Sequence, residues 1–201
     1  MIKLYGVPAS RAFRALWMLR ELGLEFENVP TSFAAGGTRS AEFLKLNPNG
    51  HIPVLVDGST VLWESMAINL YLARQYGAGS LWPATVADEG RAFQWSFWVM
   101  TEVEASLLQT LMHRRILPRE QRDEAVAAAG EAKLAGPFGV LEGALRGREY
   151  LLGGAFTVAD LNVASVLSWT TLAGVDLGRW PLLAAWLGRC TERPACKAAR
   201  G

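Results

Sequence analysis

The stretch Lys45-Leu46-Asn47-Pro48-Asn49-Gly50-His51-Ile52-Pro53-Val54-Leu55 is the most informative part of the chain. Its first half is rich in asparagine, proline and glycine, which predicts a turn. Its second half is a short apolar strand that starts at an Ile-Pro pair, and a proline there removes one N–H from any sheet ladder. Farther along the chain, Trp63-Glu64-Ser65 places an acid and a hydroxyl where a helix begins. The order of turn, strand, hairpin and polar helix start suits a cradle for a small zwitterionic peptide.

The composition is that of a compact globular protein. The 201 residues are 51% hydrophobic and 19% charged, which favours a folded core over disorder. A net charge of +1 provides no basic field for nucleic acid. The longest uncharged run, residues 161–175, is short for a bilayer span and contains several polar side chains, so we expect no membrane segment. Two cysteines and no secretory leader pattern favour the reducing cytoplasm.

Residues 1–76 alternate strand and helix signals. Ile2 and Leu4 alternate with Lys3 and Tyr5, as in a half-buried strand, and Pro8-Ala9-Ser10 is expected to open a helix. The remaining predicted elements of this half are a strand at residues 26–29, a loop at 34–37, a hairpin at 54–62 with its turn at 57–58, and a helix at 65–76. The order β-α-β-(α)-β-β-α matches a thioredoxin-like domain.

The rest of the chain shows helical signals only. Residues 77–87 form a linker by composition, and residues 88–201 form a second domain. Helices are predicted at residues 88–113, 119–146, 157–173 and 181–192, with Arg193-Pro194 ending the last one. Pro137 predicts a kink in the second helix, because its ring would clash with the preceding turn. Thr157-Val158-Ala159-Asp160 has the pattern of a structural capping box.

These motifs, in this order, resemble the soluble glutathione S-transferase family. The resemblance covers essentially the whole chain and rests on Leu4-Tyr5 through Arg14, Asn47 through Leu55, Glu64-Ser65, and Phe156 through Leu161. It implies a thioredoxin-like domain that binds glutathione, and a helical domain that lines the electrophile pocket and the dimer interface. It also implies a homodimeric, cytoplasmic detoxification transferase with glutathione as co-substrate and no metal. The chain is most similar to bacterial members whose first strand-to-helix turn carries Ser or Cys.

Ser10 is the residue predicted to activate the glutathione thiol, because a hydroxyl at a helix N-terminus can donate to a sulfur anion. Lowering a thiol pKa from about 8.5 to about 6.5 would raise the thiolate fraction at pH 7 from about 3% to about 75%. Tyr5 is the second candidate, since some family members use a Tyr at the end of the first strand. Alternatively, Ser10 is only a helix N-cap and Tyr5 only a core aromatic. Arg11 either adds positive potential or is solvated, and Val7, where the theta-like class has its Ser, argues against that class.

Ile52 and Pro53 are expected to bind the cysteinyl part of glutathione. The resemblance implies a cis peptide bond between them. Pro53 has no N–H, so the main-chain groups of Ile52 are available to an added strand. The alternative is a purely structural turn proline. His51 stands where the family often has Lys or Gln against the glycine carboxylate, and a neutral His is a weaker anchor. Asn47 and Asn49 are expected to form the turn.

Glu64 and Ser65 suit the γ-glutamyl group, which carries an ammonium and a carboxylate. The Ser65 hydroxyl and the helix N-terminus suit the carboxylate, and Glu64 suits the ammonium. The alternative is an ordinary helix start with a solvated Glu64. Glu102 and Glu104 are weaker candidates for the ammonium across a dimer. The cluster His113-Arg114-Arg115 either binds a substrate anion or is solvated at a helix end.

Other functions on the same fold stay open. They are glutathione-dependent isomerisation, disulfide reduction or dehalogenation, and glutathione binding without turnover. No nucleophile elbow, zinc-protease motif, P-loop or dinucleotide fingerprint is present in the sequence. The resemblance implies that the second substrate is a small, largely apolar electrophile.

Overall fold

The computed structural model describes residues 1–32 and 36–200, so the predicted loop at residues 34–37 lies partly outside the described residues. The chain forms two compact units. The first comprises Met1–Ala84 together with Arg193–Gly201, and the second comprises Thr85–Glu192. This division differs from the predicted domains at residues 1–76 and 88–201, because the C-terminal residues belong to the first unit.

The first unit is built on a four-stranded mixed sheet. Its strands are β1 (Ile2–Tyr5), β2 (Phe26–Val29), β3 (Val54–Asp57) and β4 (Thr60–Trp63), in the order β2-β1-β3-β4. β1 is parallel to β2 and antiparallel to β3, and β4 pairs with β3 as a hairpin. A βαβ crossover followed by a hairpin and a helix is the thioredoxin-like arrangement, so this prediction is confirmed.

Three helices of this unit follow in the predicted order: α1 (Ala12–Glu21), α2 (Ala41–Leu46) and α3 (Ser65–Tyr76). α1 begins at Ala12, after the predicted start, because the Phe13 N–H bonds the Ser10 carbonyl in a tighter turn. Every residue from 12 to 19 is buried, Arg14 included. α3 is tied to the hairpin where Tyr71 and Tyr76 donate to Asp57, at 3.0 and 2.6 Å.

A C-terminal helix that the sequence pattern did not predict spans Pro194–Arg200. Arg193-Pro194 was expected to end helical structure, but Pro194 stands at the first helical position, where a missing N–H leaves no bond unmade. This helix packs against α1. Arg193 forms an ion pair with Glu21, which also accepts a bond from Trp17 Nε1 at 3.1 Å. These contacts explain why the chain end belongs to the first unit.

The second unit is built from helices and their connecting loops, and its described residues include no β-strand beyond an isolated bridge between Tyr150 and Gly153. Its α-helices are α4 (Val86–Trp98), α5 (Ala105–Leu111), α6 (Glu124–Lys133), α7 (Ala135–Ala144), α8 (Val158–Leu167), α9 (Trp169–Ala173) and α10 (Pro181–Thr191). The C-terminal helix of the first unit, Pro194–Arg200, is therefore numbered α11. π-helical segments at Val99–Glu104 and Met112–Ile116 interrupt the first predicted helix. The predicted kink at Pro137 lies instead at Leu134, because Pro137 falls in the first turn of α7, where its ring is tolerated. None of the described helices has the length and apolar character needed to cross a bilayer.

Asp160 is the polar centre of the second unit. Its carboxylate is fully buried and accepts bonds from the Leu151 N–H at 2.8 Å, Trp186 Nε1 at 2.9 Å and the Thr157 N–H at 3.0 Å. Burial raises the pKa of Asp160 against the opposing effect of these donors. The capping box predicted from the sequence is confirmed, and Trp186 of α10 is a further partner in it.

Candidate functional site

Three turns of the first unit emerge at one end of the sheet. The register pairs Tyr5 with Val54, and Val54 with Trp63. The turn after β1, the Ile52-Pro53 pair before β3 and the start of α3 after β4 therefore leave the sheet at the same end. Gly6 shows how closely two of them pack: a Cβ at this position would lie 2.5 Å from the Ala12 Cβ and 3.6 Å from the Ile52 Cβ.

Ser10 lies in the first of these turns, before α1. Its hydroxyl is half-buried and donates to the Val7 carbonyl oxygen at 2.7 Å. The Ser10 Oγ also accepts the Ala12 N–H at 3.1 Å. Ser10 therefore satisfies the first donor of α1, as a capping residue does. Arg11 follows it in helical conformation and is half-buried.

Tyr5 packs on the opposite face of β1 from the buried Leu4. Its ring meets Phe43 of α2 edge-on, with centroids 6.2 Å apart. Both belong to an apolar cluster with Ile52 and Val54. The position of Tyr5 favours its interpretation as a core aromatic.

The Ile52-Pro53 peptide bond is cis, which confirms that expectation. Ile52 is buried, and the turn before it is rigid. The buried Asn47 side chain donates to the His51 carbonyl at 2.8 Å and accepts the Asn49 N–H at 3.0 Å. Asn47 is thus the turn former that the sequence predicts.

Arg39 is a further candidate residue that the sequence pattern did not predict. Gly50 has a φ of 65°, and a Cβ there would lie 2.9 Å from Arg39 Nη1 and 3.0 Å from the Thr38 carbonyl oxygen. The exposed Arg39 side chain therefore lies against the turn that precedes His51. A sequence signal was hard to find, because Arg39 comes from a separate short helix at Gly37–Arg39. The His51 side chain is exposed beside this turn.

Glu64 has a strained backbone. It is the residue with positive φ among the described non-glycine positions, with φ 72° and ψ 114°. Such a conformation costs about 1–3 kcal/mol and is concentrated at functional sites. Its carbonyl accepts the Ile68 N–H at 2.9 Å, while its side chain is exposed and does not cap the helix. The carboxylate is thus presented to solvent at the end of the sheet where the turns emerge.

Ser65 is buried, not solvated, at the first position of α3. Its Oγ accepts a hydrogen bond from Arg14 Nη1 at 3.1 Å, and Arg14 is 1% exposed. Arg14 is the second residue that sequence reasoning did not assign to the site. A usable signal was present, because Arg14 is the only charge in the apolar run from Ala12 to Leu19.

The candidate cluster His113-Arg114-Arg115 is hydrogen-bonded to other residues of the second unit. Arg114 pairs with Glu124 and Glu131, at 2.8 and 2.6 Å. His113 Nδ1 accepts the Asp123 N–H at 3.2 Å, and Arg115 donates to the Leu172 carbonyl at 3.1 Å. These contacts join the segment Met112–Ile116 to neighbouring parts of the second unit and favour a structural role for the cluster.

Glu102 and Glu104, proposed from sequence as weaker ligands, differ in exposure. Glu102 is exposed and Glu104 is buried, although both lie in the π-helical segment Val99–Glu104. Among the residues that the structure describes, no three His, Cys, Asp or Glu side chains cluster as a metal site.

Comparison with known proteins gives one family along the chain. Residues 1–74 match the model of the glutathione S-transferase N-terminal domain, and residues 104–194 match that of its C-terminal domain. Glutathione S-transferase 3 of Zea mays is 37% identical, over 96% of this chain and 90% of that protein. Glutathione S-transferase GstB of Escherichia coli K12 is 32% identical, over 98% of this chain and 96% of that protein.

A solved structure is similar over the same length. It is the theta class glutathione S-transferase from Xanthomonas axonopodis pv. citri with glutathione bound. It has a TM-score of 0.92 and 30% identity, and the match covers 98% of this chain and 96% of that one. It belongs to the theta class, although Val7 here stands where that class is expected to have its Ser.

The strain at Glu64 can be tested without any ligand. We expect Glu64→Gly to be more stable than Glu64→Ala by about 1 kcal/mol, because glycine tolerates positive φ and alanine does not. Denaturant titration of both variants measures the difference. At Ala67, an exposed position within α3, glycine should instead destabilise by about 1 kcal/mol. Equal stabilities of the two Glu64 variants would show that the backbone there is unstrained.

Proposed function

Because the chain belongs to the glutathione S-transferase family, we propose that the three turns at the end of its sheet bind glutathione, with the thiol beside Ser10. The protein is a glutathione transferase with glutathione as co-substrate. The observation that carries the proposal is the convergence of two helix N-termini and a strand start at one end of the sheet. A tripeptide with two carboxylates and one ammonium needs such a mixture of donors and one acid.

Each part of glutathione has a matching group in the proposed site. The γ-glutamyl carboxylate binds to Ser65 and to the N-terminus of α3, and the ammonium binds to Glu64. The cysteinyl main chain pairs with Ile52 as an added strand. The glycine carboxylate takes Arg39, with His51 beside it, because a guanidinium binds carboxylates more strongly than a neutral imidazole does.

Ser10 would change its hydrogen-bond acceptor when glutathione binds. Its hydroxyl donates to the Val7 carbonyl oxygen in the structure. A bond of this neutral kind contributes about 1 kcal/mol, whereas a bond to a charged acceptor contributes about 1.5–3 kcal/mol. Rotation of the hydroxyl from the Val7 carbonyl to a thiolate is therefore favourable. The thiol proton leaves to solvent, and the sulfur lone pair forms the new C–S bond. In a substitution the leaving group departs with the electron pair of its bond to carbon, and in an addition the π pair of the electrophile moves to the neighbouring atom, which takes up a proton from solvent.

Replacement of Ser10 tests the catalytic assignment. We expect Ser10→Ala to raise the pKa of the thiol of bound glutathione toward about 8.5. We also expect it to lower kcat/KM near neutral pH by about 10- to 100-fold. Ultraviolet difference spectra over a pH range measure the thiolate, and a panel of generic electrophiles measures conjugation. Tyr5→Phe is the matched control and should change both by less than about twofold.

Several results would contradict the assignment. A larger loss in Tyr5→Phe than in Ser10→Ala would transfer the role to Tyr5. Glutathione binding by the wild type without conversion of any electrophile in the panel would instead indicate a binding module.

A truncated ligand tests the glycine subsite. We expect Arg39→Gln to weaken glutathione binding by about tenfold, because a charge-assisted bond is lost. γ-Glutamylcysteine ethylamide keeps the cysteinyl amide bond but has no carboxylate at this end, so its affinity should be the same for Arg39→Gln and wild type. Calorimetric titration measures both ligands. His51→Ala is the comparison variant, and a larger loss there than at Arg39 would assign the contact to His51.

We also propose a cytoplasmic homodimer with a detoxification role. Support for the homodimer comes from an apolar stripe on α4, where Val86, Phe93 and Phe97 are 84%, 40% and 65% exposed. Clustered large apolar side chains on a surface helix are typical of protein interfaces. The cytoplasm suits the low cysteine content, since the sequence has only Cys190 and Cys196 and both are buried.

A charge placed in the stripe tests the dimer. We expect light scattering of the wild type to give about twice the chain mass of 21.9 kDa, and Phe97→Glu to give the single mass. Val140→Glu, at an exposed position of α7 outside the stripe, should leave the dimer intact. A dimer that survives Phe97→Glu would show that α4 does not form the interface.

A further inference from the structure

We propose that Arg14 is a positioning residue for glutathione, which acts through Ser65 without touching the ligand. The inference rests on the proposed function, in which Ser65 receives the γ-glutamyl carboxylate. Arg14 is 1% exposed, so it cannot reach a bound ligand directly. Its Nη1 lies 3.1 Å from Ser65 Oγ across a sequence separation of 51 residues. The bond joins α1, which follows the Ser10 turn, to the first residue of α3.

The direction of this hydrogen bond determines whether the Ser65 hydroxyl can donate to a ligand. A guanidinium only donates, so Ser65 Oγ must accept from Arg14. The hydroxyl proton of Ser65 is then left to point away from Arg14. An anion at the N-terminus of α3 needs such a donor. Arg14 thereby sets Ser65 as a hydrogen-bond donor toward the carboxylate.

The charge of Arg14 acts in the same direction. An arginine guanidinium stays protonated in proteins, so Arg14 carries a positive charge. It lies behind Ser65, at the positive end of the α3 dipole. Both potentials favour an anion at this point, and low dielectric surroundings reduce the screening of the buried charge. A helix face that needed only packing would be served by an apolar side chain of similar length.

The test pairs one variant with one altered ligand. Arg14→Met keeps the side-chain length and removes the charge and the donors. We expect its dissociation constant for glutathione to rise at least about tenfold, with kcat at saturating glutathione within about twofold and an unchanged pH profile of kcat. A glutathione analogue whose γ-glutamyl residue lacks the α-carboxylate should bind to Arg14→Met as well as to wild type. Calorimetric titration measures both ligands.

The coupling of Arg14 to Ser65 is measured by a double-mutant cycle. Ser65→Ala should weaken glutathione binding to a similar degree, and adding Arg14→Met to it should cause little further loss. A merely structural Arg14 would weaken both ligands equally and would add its effect to that of Ser65→Ala. Either result overturns the inference.

Two further comparisons keep the test decisive. If Arg14→Met does not fold, Arg14→Lys replaces it, because Lys keeps the charge but loses the guanidinium geometry. It should show a smaller loss with the same ligand selectivity, and loss of affinity for both ligands would overturn the inference. Failure of the wild type to bind glutathione contradicts the proposed function itself. Binding that Ser65→Ala weakens and the Arg14 variants do not contradicts only the role of Arg14.

Discussion

The buried guanidinium of Arg14 constrains how α1 and α3 pack in the first unit. Arg14 lies among apolar residues of α1, and a buried charge is tolerated only where polar groups face it. The bond to Ser65 therefore limits how α3 can slide or rotate against α1. Since the N-termini of these helices flank the end of the sheet, the same bond determines how far apart the two helix starts lie. The geometry of the candidate site thus depends in part on this buried contact.

Short strands make this arrangement sensitive to register. Each of the four strands has four residues, so a slip of one residue would turn every side chain to the other face. Alternating burial along β1 keeps Leu4 in the core and places Tyr5 against Phe43. Gly6 then permits the close approach of Ala12 and Ile52 that brings two of the turns together. The strain at Glu64 is a local consequence of entering α3 directly from β4.

Local sequence patterns predicted most of the strands and helices. The features that they did not predict depend on contacts between residues distant in sequence. Alternation and turn residues were sufficient for the strands and the hairpin, and the Thr157–Asp160 spacing was sufficient for the capping box. The helix at Pro194–Arg200 was not predictable, because its partner Glu21 is distant in sequence. Arg39 was missed for the same reason, since only the folded chain brings it to Gly50. The sequence could propose Ser10, Ile52, Pro53, Glu64 and Ser65 as candidates because each stands at the boundary of an element.

The two hydrogen bonds of Ser10 explain how a hydroxyl could serve both helix and sulfur. Its oxygen accepts the Ala12 N–H, and this bond need not break when the hydroxyl proton turns from Val7 to another acceptor. The N–H, the hydroxyl and a thiolate would then form a chain in which each bond polarises the next. The first donor of α1 stays satisfied throughout, so the helix is not destabilised by catalysis. In the proposed function, capping uses the Ser10 oxygen as an acceptor and thiol activation uses its hydroxyl as a donor, so a capping role for Ser10 does not compete with a catalytic one.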